Sequence, residues 1–385
     1  MSSSAIPPRT SVPNGVPELT DGTVRLRALE DGDIPAIVAQ SNDPEVVRWT
    51  TVPHPYADTD ARAYLDETRT ASAAPDGTRL WGIETAAHPF AGLIDLRFRG
   101  RGLGEVGYSL SPAARGTGIM ARAVRIAARY AFTTGPWGQP LERIHWHAQV
   151  GNFASRRVAW ACGFTHHGTI PGGARGRRAD ATECPVDLWA ASLGANDPMQ
   201  PATPWWDIPR IVGDRVVLRA WNEGDQGAAQ PMDIPGHFMP DGAAPNQLTF
   251  ASWLLERRER AAAGTCVQWC IADKATDQAY GSVLIFSNHA VIDPPGAELG
   301  YFLVPAARGR GLATEAARLA IGHAFEPERD GGLELSRLTA VTAADNTASN
   351  AVLQRLGFAR WGVEHRTDAL PGGGWQDAFH WELLR

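Results

Sequence analysis

Glu298-Leu-Gly-Tyr-Phe-Leu-Val-Pro305, continuing as Ala-Ala-Arg308-Gly309-Arg310-Gly311-Leu312-Ala313-Thr314-Glu315 and then as a helical run through Phe325, decides the fold of this chain. The stretch occurs twice. Glu105-Val-Gly-Tyr-Ser-Leu-Ser-Pro112, followed by Ala-Ala-Arg115-Gly116-Thr117-Gly118-Ile119-Met120 and a run through Phe132, repeats it 193 positions earlier. A short apolar strand, a turn with two glycines and a helix starting directly after them make an anion site: the glycines admit a close approach, and the first N–H groups of the helix lack internal partners. The expected ligand carries phosphates. Backbone binding would tolerate the side-chain differences between the copies, and Arg115 and Arg308 would add charge.

Outward from this stretch, the same elements recur at a nearly constant offset. Val24-Arg-Leu-Arg-Ala28 alternates as a half-buried strand and is matched by Val216-Val-Leu-Arg-Ala220. Helices are expected from Ile34, from Asn42-Asp-Pro-Glu45 and over 61–71. Leu80-Trp-Gly-Ile-Glu84 and Phe90-Ala-Gly-Leu-Ile-Asp-Leu96 read as a hairpin turning at His88-Pro89, and 268–272 with 279–285 match it. Downstream, Arg143-Ile-His-Trp-His-Ala148 is a strand; Asn152 opens a helix that runs to Cys162, with Gly163 as its cap. Ser336-Arg-Leu-Thr-Ala-Val341 and the run from Asn346 to Phe358 repeat both, and an apolar run over 186–193 closes the first half. About half the positions in the organising stretch are identical, so the chain is an internal duplication with a domain-sized period. The expected layout is a disordered tail over 1–17, a domain over 18–194, a proline-interrupted linker over 195–209 and a second domain over 210–385. The copies differ most over 222–250, where Pro, Gly and Met replace cleaner helical patterns.

Composition narrows the function. At 385 residues, 44% hydrophobic and 20% charged, the chain suits ordinary folded domains with sizeable cores. With 36 basic against 42 acidic residues, its net charge of −6 argues against a nucleic-acid binder that neutralises phosphates, although Arg175 to Arg178 could form a local basic patch. No apolar run is long enough to span a bilayer and the N-terminus lacks signal-peptide order, so a cytoplasmic location without membrane attachment is expected. Cysteines 162, 184, 266 and 270 form no C-x-x-C pair; buried free thiols are expected, with Cys266 and Cys270 on one face of a strand. His145 and His147 share a strand face, but no third ligand at suitable spacing accompanies them, so no metal site is expected.

The strand ending in Pro followed by Arg308-Gly-Arg-Gly311-Leu-Ala313 resembles the acetyl-CoA signature Q/R-x-x-G-x-G/A of the GNAT N-acetyltransferases. Asn346-Thr-Ala-Ser349 through Gly357-Phe358 resembles the N-x-x-S…GF segment of the RimJ/RimL-type branch, and Asn152-Phe-Ala-Ser155 to Gly163-Phe164 repeats it. The resemblance covers nearly the whole chain after residue 17. It implies two tandem α/β (α+β) folds, each a central, mostly antiparallel twisted sheet flanked by helices and splayed where the pantetheine arm enters. It also implies acetyl-CoA as cosubstrate. By this resemblance the cofactor contacts are Leu303, Val304, Arg308, Gly309, Arg310, Gly311, Leu312, Ala313, Thr314 and Asn346 in the second half. In the first they are Arg115, Gly116, Thr117, Gly118, Ile119, Met120 and Asn152.

Acetyl transfer from a thioester to an amine needs a pyrophosphate pocket, a route for the ammonium proton and help for the departing thiolate. Glu105 and Glu298, at equivalent strand positions, are the candidate bases acting through water, and a partly apolar cleft would raise a carboxylate pKa to suit that task. The resemblance gives Ser155 and Ser349 the role of binding or protonating the CoA thiol. The plainer readings are helix caps for the Asn and Ser residues and strand-end ion pairs for the glutamates. Met120, where the second copy has Ala313, is expected to crowd its turn, and Arg122 replaces Glu315; the second half is therefore expected to hold the better cofactor site. The glycine turn also fits the dinucleotide fingerprint superficially, but neither copy supplies the following acid and no Walker lysine follows. The expected acceptor is a small-molecule amine or a peptide N-terminus, and the expected state a monomer or homodimer. The rivals are a non-catalytic acyl-CoA-binding scaffold and a duplicated enzyme resembling mycothiol synthase with one working half.

Overall fold

A computed structural model describes residues 16–177, 182–229, 233–239, 242–287, 296–370 and 373–385. The chain divides into two compact units, Met1–Ala202 and Thr203–Arg385.

The first unit runs β1 (Leu19–Thr20), β2 (Val24–Arg27), α1 (Ile34–Ser41), α2 (Pro44–Trp49), α3 (Asp58–Ala73), β3 (Arg79–Thr85), β4 (His88–Phe98) and β5 (Leu103–Leu110). It continues with α4 (Ile119–Thr133), β6 (Arg143–Gln149), α5 (Phe153–Ala161), β7 (Thr165–Arg177) and β8 (Glu183–Gly194). The strands form one sheet in the order β1-β2-β3-β4-β5-β6-β8-β7. Only the β5–β6 pair is parallel, because α4 lies between those strands in the chain and returns it to the same end.

The second unit repeats this plan. Its elements are β9 (Ile211–Val212), β10 (Val216–Arg219), α6 (Phe250–Ala262), β11 (Cys266–Asp273), β12 (Ala279–Phe286), β13 (Gly296–Leu303), α7 (Leu312–Phe325), β14 (Arg337–Ala343), α8 (Thr347–Arg355), β15 (Ala359–Ala369) and β16 (Trp375–Leu384). The sheet order is β15-β16-β14-β13-β12-β11-β10-β9, with β13–β14 the parallel pair.

The expected periodicities account for the packing. Val24 and Leu26 are fully buried while Arg25 and Arg27 lie between and after them, pairing with Glu84 on the neighbouring strand. Along α4 the buried residues Ile119, Met120, Ala123, Val124, Ala127 and Ala131 make one stripe; Leu312, Ala316, Ala317, Ala320 and Ala324 do the same on α7. Small alanines let each helix lie close against its sheet. Tryptophans fill the cores: Trp81, Trp146 and Trp189 in the first unit, Trp269 and Trp381 in the second.

Several expectations are corrected. Residues 1–15 of the expected tail lie outside the described residues, but Val16 is buried and the Pro17 carbonyl accepts a bond from Trp81 Nε1 at 2.8 Å, so these two residues belong to the first unit. The first hairpin turns at 86–87, because His88 pairs with Thr85 and Pro89 already lies in the strand. The expected linker is partly built in: Trp206 donates its N–H to Ala261 O, and Trp206 and Ile208 pack on the second core. Strands β7 and β15 were not expected at all. Most of their residues are exposed, so neither carries the alternation that would mark it, and each is held mainly by backbone pairing to β8 or β16. The basic patch reduces to Arg175, paired with Glu183, and Arg177; Arg178 lies outside the described residues. Among the described residues over 222–250, short 3-10 turns at Glu223–Ala228 and Gly236–Phe238 stand where the first unit has α1 and α2. All four cysteines are free, with 162, 266 and 270 buried; burial pushes the Cys162 thiol up to about 12 and that of Cys266 to about 11.

Candidate functional site: a splayed strand pair beside each glycine turn

The parallel strand pair of each unit comes apart partway along. In the first, Leu103 to Val106 face Arg143 to Trp146, and beyond Val106 the two strands diverge. β5 continues to Leu110 paired with β4 alone, and β6 continues to Gln149 paired with β8 alone. In the second unit the last facing pair is Glu298 and Thr339, after which β13 reaches Leu303 and β14 reaches Ala343 on their outer partners. Each divergence leaves inward-facing backbone N–H and C=O groups without a strand partner. An extended amide-bearing chain could pair with them.

The glycine turn closes the end of each cleft. Gly116 and Gly118 have φ of 75° and 78°, and Gly309 and Gly311 have 72° and 75°, the left-handed region where a side chain is strained. A Cβ built on Gly116, Gly118 or Gly309 would meet nothing within 4 Å; on Gly311 it would meet only Arg215 Nη2 at 3.5 Å. Backbone is therefore laid open to a ligand. The helical ladders begin with Arg122 N–H to Gly118 O (3.3 Å) and Glu315 N–H to Gly311 O (3.2 Å), so the amides before them point out of the helix ends toward the cleft. Ile119 and Leu312, the first residues of these helices, are buried, while Thr117 and Arg310 stay exposed. Thr117 Oγ1 donates to Ala114 O at 2.6 Å, and the Arg310 guanidinium sits 5.5 Å from the Tyr280 ring.

Met120 does not crowd its turn. Its side chain is 3% exposed and joins the core under α4, because the second helical residue faces the sheet and not the ligand. Nor does the exchange of Glu315 for Arg122 remove a contact. Glu315 accepts the Arg215 and Val216 amides at 2.7 and 3.2 Å and the Arg215 guanidinium at 2.8 Å; Arg122 instead donates to Asp21 at 2.7 Å. The tie between helix start and edge strand survives with its charges reversed. Both turns leave space at their glycines, and the crowding expected of Met120 is not observed.

Arg115 and Arg308 serve the turn from behind. Arg115 bonds Asp43, the N-cap of α2, and the Leu110 carbonyl; Arg308 Nε donates to Leu303 O at 3.0 Å and its Nη1 lies 2.7 Å from Asp233. Each ties the strand end to a segment from the region between the second strand of its unit and the long helix that follows. Leu303 is buried and Val304 partly so, its N–H bonded to Tyr280 O.

On the opposite lip, Asn152 and Asn346 are N-caps of α5 and α8, their carboxamide oxygens accepting the Ser155 and Ser349 amides at 3.1 Å. The capping reading of these asparagines is the observed one. The serine hydroxyls bond tyrosines that were not among the expected site residues. Tyr301 Oη lies 2.8 Å from Ser349 Oγ, and Ser155 Oγ donates to Tyr108 Oη at 3.3 Å while receiving Trp146 Nε1 at 3.2 Å. Burial pushes the Tyr301 phenol up to about 12, against the lowering pull of its bond to Ser349, and likewise holds Tyr108 above its ordinary range. Both phenols stay protonated at neutral pH. The signal was in view: Tyr follows Glu by three residues in both copies of Glu-x-Gly-Tyr.

The glutamates part company. Glu105 is 8% exposed, and burial alone would raise its pKa; His147 and Arg99 bonds overcome that and hold it at about 2. Arg99 Nε lies at 2.9 Å, Arg97 Nη1 at 3.2 Å and His147 Nδ1 at 3.2 Å. This is the reverse of the raised pKa expected of a base. Glu298 is half-buried and sits in register with Phe286 and Thr339, where Glu105 faces Arg97 and His145. Among the described residues no group of side chains could hold a metal ion.

Two tandem folds of this kind, each with an open glycine cradle beside a splayed strand pair, carry a decisive likeness: the model of the acetyltransferase (GNAT) domain matches residues 23–165 and again 215–359. The chain belongs to the GNAT acetyltransferase family. Among curated proteins, this GNAT chain is 37% identical over 79 residues to "Probable N-acetyltransferase YjcK" of Bacillus subtilis, covering 20% of this chain and 40% of that protein. It is 31% identical over 116 residues to "Uncharacterized N-acetyltransferase YoaA" of the same species, covering 30% of this chain and 57% of that protein. The matches thus span about half the length of these relatives. Among solved structures, Mycobacterium smegmatis RimJ in complex with CoA-disulfide is 22% identical over 47% of this chain and 90% of its own, with a TM-score of 0.38. Vibrio cholerae spermidine N-acetyltransferase in complex with CoA and spermine is 21% identical over 46% and 97%, also at 0.38.

Proposed function

We propose that this GNAT protein transfers an acetyl group from acetyl-CoA to a primary amine, with a cofactor cradle in each unit. The observation that carries the reading is the pair of open cradles: outward-facing amides at the start of α4 and α7, left-handed glycines with no atom where a Cβ would stand, and a splayed strand pair leading away from each. The pyrophosphate would lie on the amides of Gly116 to Met120 or Gly309 to Ala313, and the pantetheine amides on the free edges of β5 and β13. Acyl-CoA use follows from the family; acetyl as the acyl group is part of the proposal.

In the second unit Glu298, half-buried at the last paired position before the splay, would take the ammonium proton through a water. The freed amine attacks the thioester carbonyl carbon, the N–C bond forms, and the C–S bond breaks. Ser349, backed by the protonated Tyr301 phenol, supplies a proton to the departing thiolate and recovers one from the amide nitrogen as it loses its last surplus proton. Ser155 and Tyr108 offer the same device in the first unit. The acceptor is a small-molecule amine or a peptide N-terminus, and the remade segment over 222–250 gives the two units different acceptor covers.

Thiol release from acetyl-CoA with a panel of amines, run beside calorimetry with CoA, tests the reading. Turnover with at least one amine and micromolar CoA binding are expected. Tight CoA binding without turnover on any amine would leave an acyl-CoA-binding scaffold, and no CoA binding would remove both.

A further inference from the structure

The first unit has a carboxylate that is tied down and a histidine bound to it through one ring nitrogen. Glu105 lies in register with His145, and strand alternation brings His145 and His147 onto the same sheet face as Glu105, opposite to the face where Trp146 reaches α5. His147 is the first β6 residue past the last β5-paired position, so it stands at the mouth of the cleft. Its Nδ1 lies 3.2 Å from Glu105 Oε2, and its side chain is 27% exposed. With Nδ1 committed to the carboxylate, Nε2 is the nitrogen left to exchange a proton. The ring lies parallel to that of His145, their centroids 6.5 Å and their planes 8° apart.

The second unit cannot do this. The register that sets Glu105 against Arg97 and His145 sets Glu298 against Phe286 and Thr339, so Val341 stands where His147 does. Thr339 and Val341 take the places of His145 and His147, so the two units need different proton acceptors.

We propose that His147 is the catalytic proton acceptor of the first unit, with Glu105 as its positioning residue. The inference rests on the acetyl-transfer reading above. The substrate ammonium gives one proton to His147 Nε2, which passes it to solvent. The neutral amine then attacks the thioester carbonyl carbon, the N–C bond forms as the C–S bond breaks, and the second amine proton ends on the CoA thiolate. One ammonium and one acetyl-CoA become one amide, one thiol and one released proton. The charged and titratable groups nearest His147 are Glu105 from β5, Arg97 from β4, Arg99 just after it and the adjacent His145. Farther off are Asp95 and the Tyr64 phenol on the Arg97 side and Arg143 and His167 on the His145 side; Ala190, opposite His147 on β8, carries no charge.

The test uses the full chain carrying Gly311→Asp, so that turnover reports the first unit. Thiol release from acetyl-CoA is followed with butylamine, spermidine and a hexapeptide beginning with alanine between pH 5.5 and 9, with calorimetry for CoA. His147→Gln is expected to lower kcat/KM about 100-fold and to remove the rising limb of the pH profile, with CoA affinity within about twofold. Glu105→Gln is expected to shift that limb to lower pH, because the imidazolium loses its anionic neighbour; a merely structural role would not move it. A limb unchanged in His147→Gln overturns the assignment, and so does an inert Gly311→Asp protein whose parent turns over. If Glu105→Gln fails to fold, His147→Gln decides alone. If the parent chain releases no thiol with any of the three amines, the acetyl-transfer reading itself falls, a result distinct from the other two.

Discussion

Tyr301 Oη and Ser349 Oγ lie 2.8 Å apart, joining the diverging end of β13 to the first turn of α8 across the cleft. The same phenol also donates to Ser349 O at 3.2 Å, so the serine is held by both its hydroxyl and its carbonyl. A strand that has lost its neighbour is thereby kept at a set distance from the helix on the other lip. Tyr108 and Ser155 do the same in the first unit, with Tyr108 Oη donating to Ser155 O at 2.9 Å.

Tyr301→Phe should therefore affect chemistry more than binding. Losing a buried hydrogen bond costs about 1 kcal/mol of stability, read as a small fall in the denaturant midpoint of the second unit. Loss of the proton relay should lower kcat of that unit by ~10–100-fold while KM for acetyl-CoA holds. Equal falls in kcat and CoA affinity would mean that the tyrosine builds the pocket and does no more.

Gly118→Asp and Gly311→Asp place a side chain where φ is 78° and 75° and a negative charge where an anion would lie. Because both cradles are open, each substitution should remove one CoA from the calorimetric stoichiometry and leave the other. A single site abolished by one variant alone would show that only that turn binds.

Met120→Ala should cost about 2–3 kcal/mol, since the side chain is 3% exposed and leaves a cavity beneath α4. CoA affinity at the first turn should not change, as the thioether does not reach the cradle. A tighter affinity in the variant would reinstate crowding.

Glu105 also makes the first unit acid-sensitive. Its folded pKa, about 2, lies below the ordinary 4.5, so the stabilisation is fully present above the unfolded value and is lost as pH falls from about 4.5 through about 2. Asp95, whose pKa burial raises against the pull of Arg97, works in the opposite sense, so the comparison of parent and Glu105→Gln isolates the Glu105 share. Chemical denaturation at pH 5 and pH 2.5 should show the parent losing ~2–3 kcal/mol more than the variant. Equal losses would show that the cations do not hold the carboxylate.

The duplication, the glycine turns, the strand before each turn and the asparagine-led helices after them were legible in the sequence, because each depends on residues close together in the chain. Left-handed glycines, N-caps and helical stripes are local requirements, and they fixed the family and the position of both cradles. What a side chain meets across the sheet was not legible. Met120 and Ala313 occupy one position, and only the angle of α4 shows that the larger residue enters the core. Glu105 and Glu298 likewise occupy one position. Their difference comes from the pairing of neighbouring strands, which brings Arg97 and Arg99 from the adjoining hairpin and His147 from β6 to one carboxylate and sets the other against Phe286 and Thr339. By itself the sequence determined the duplicated fold and where the two glycine turns lie. The electrostatic character of each cleft was decided only by strand register in the folded sheets, since the field at a carboxylate depends on which charges pairing brings within a few ångströms.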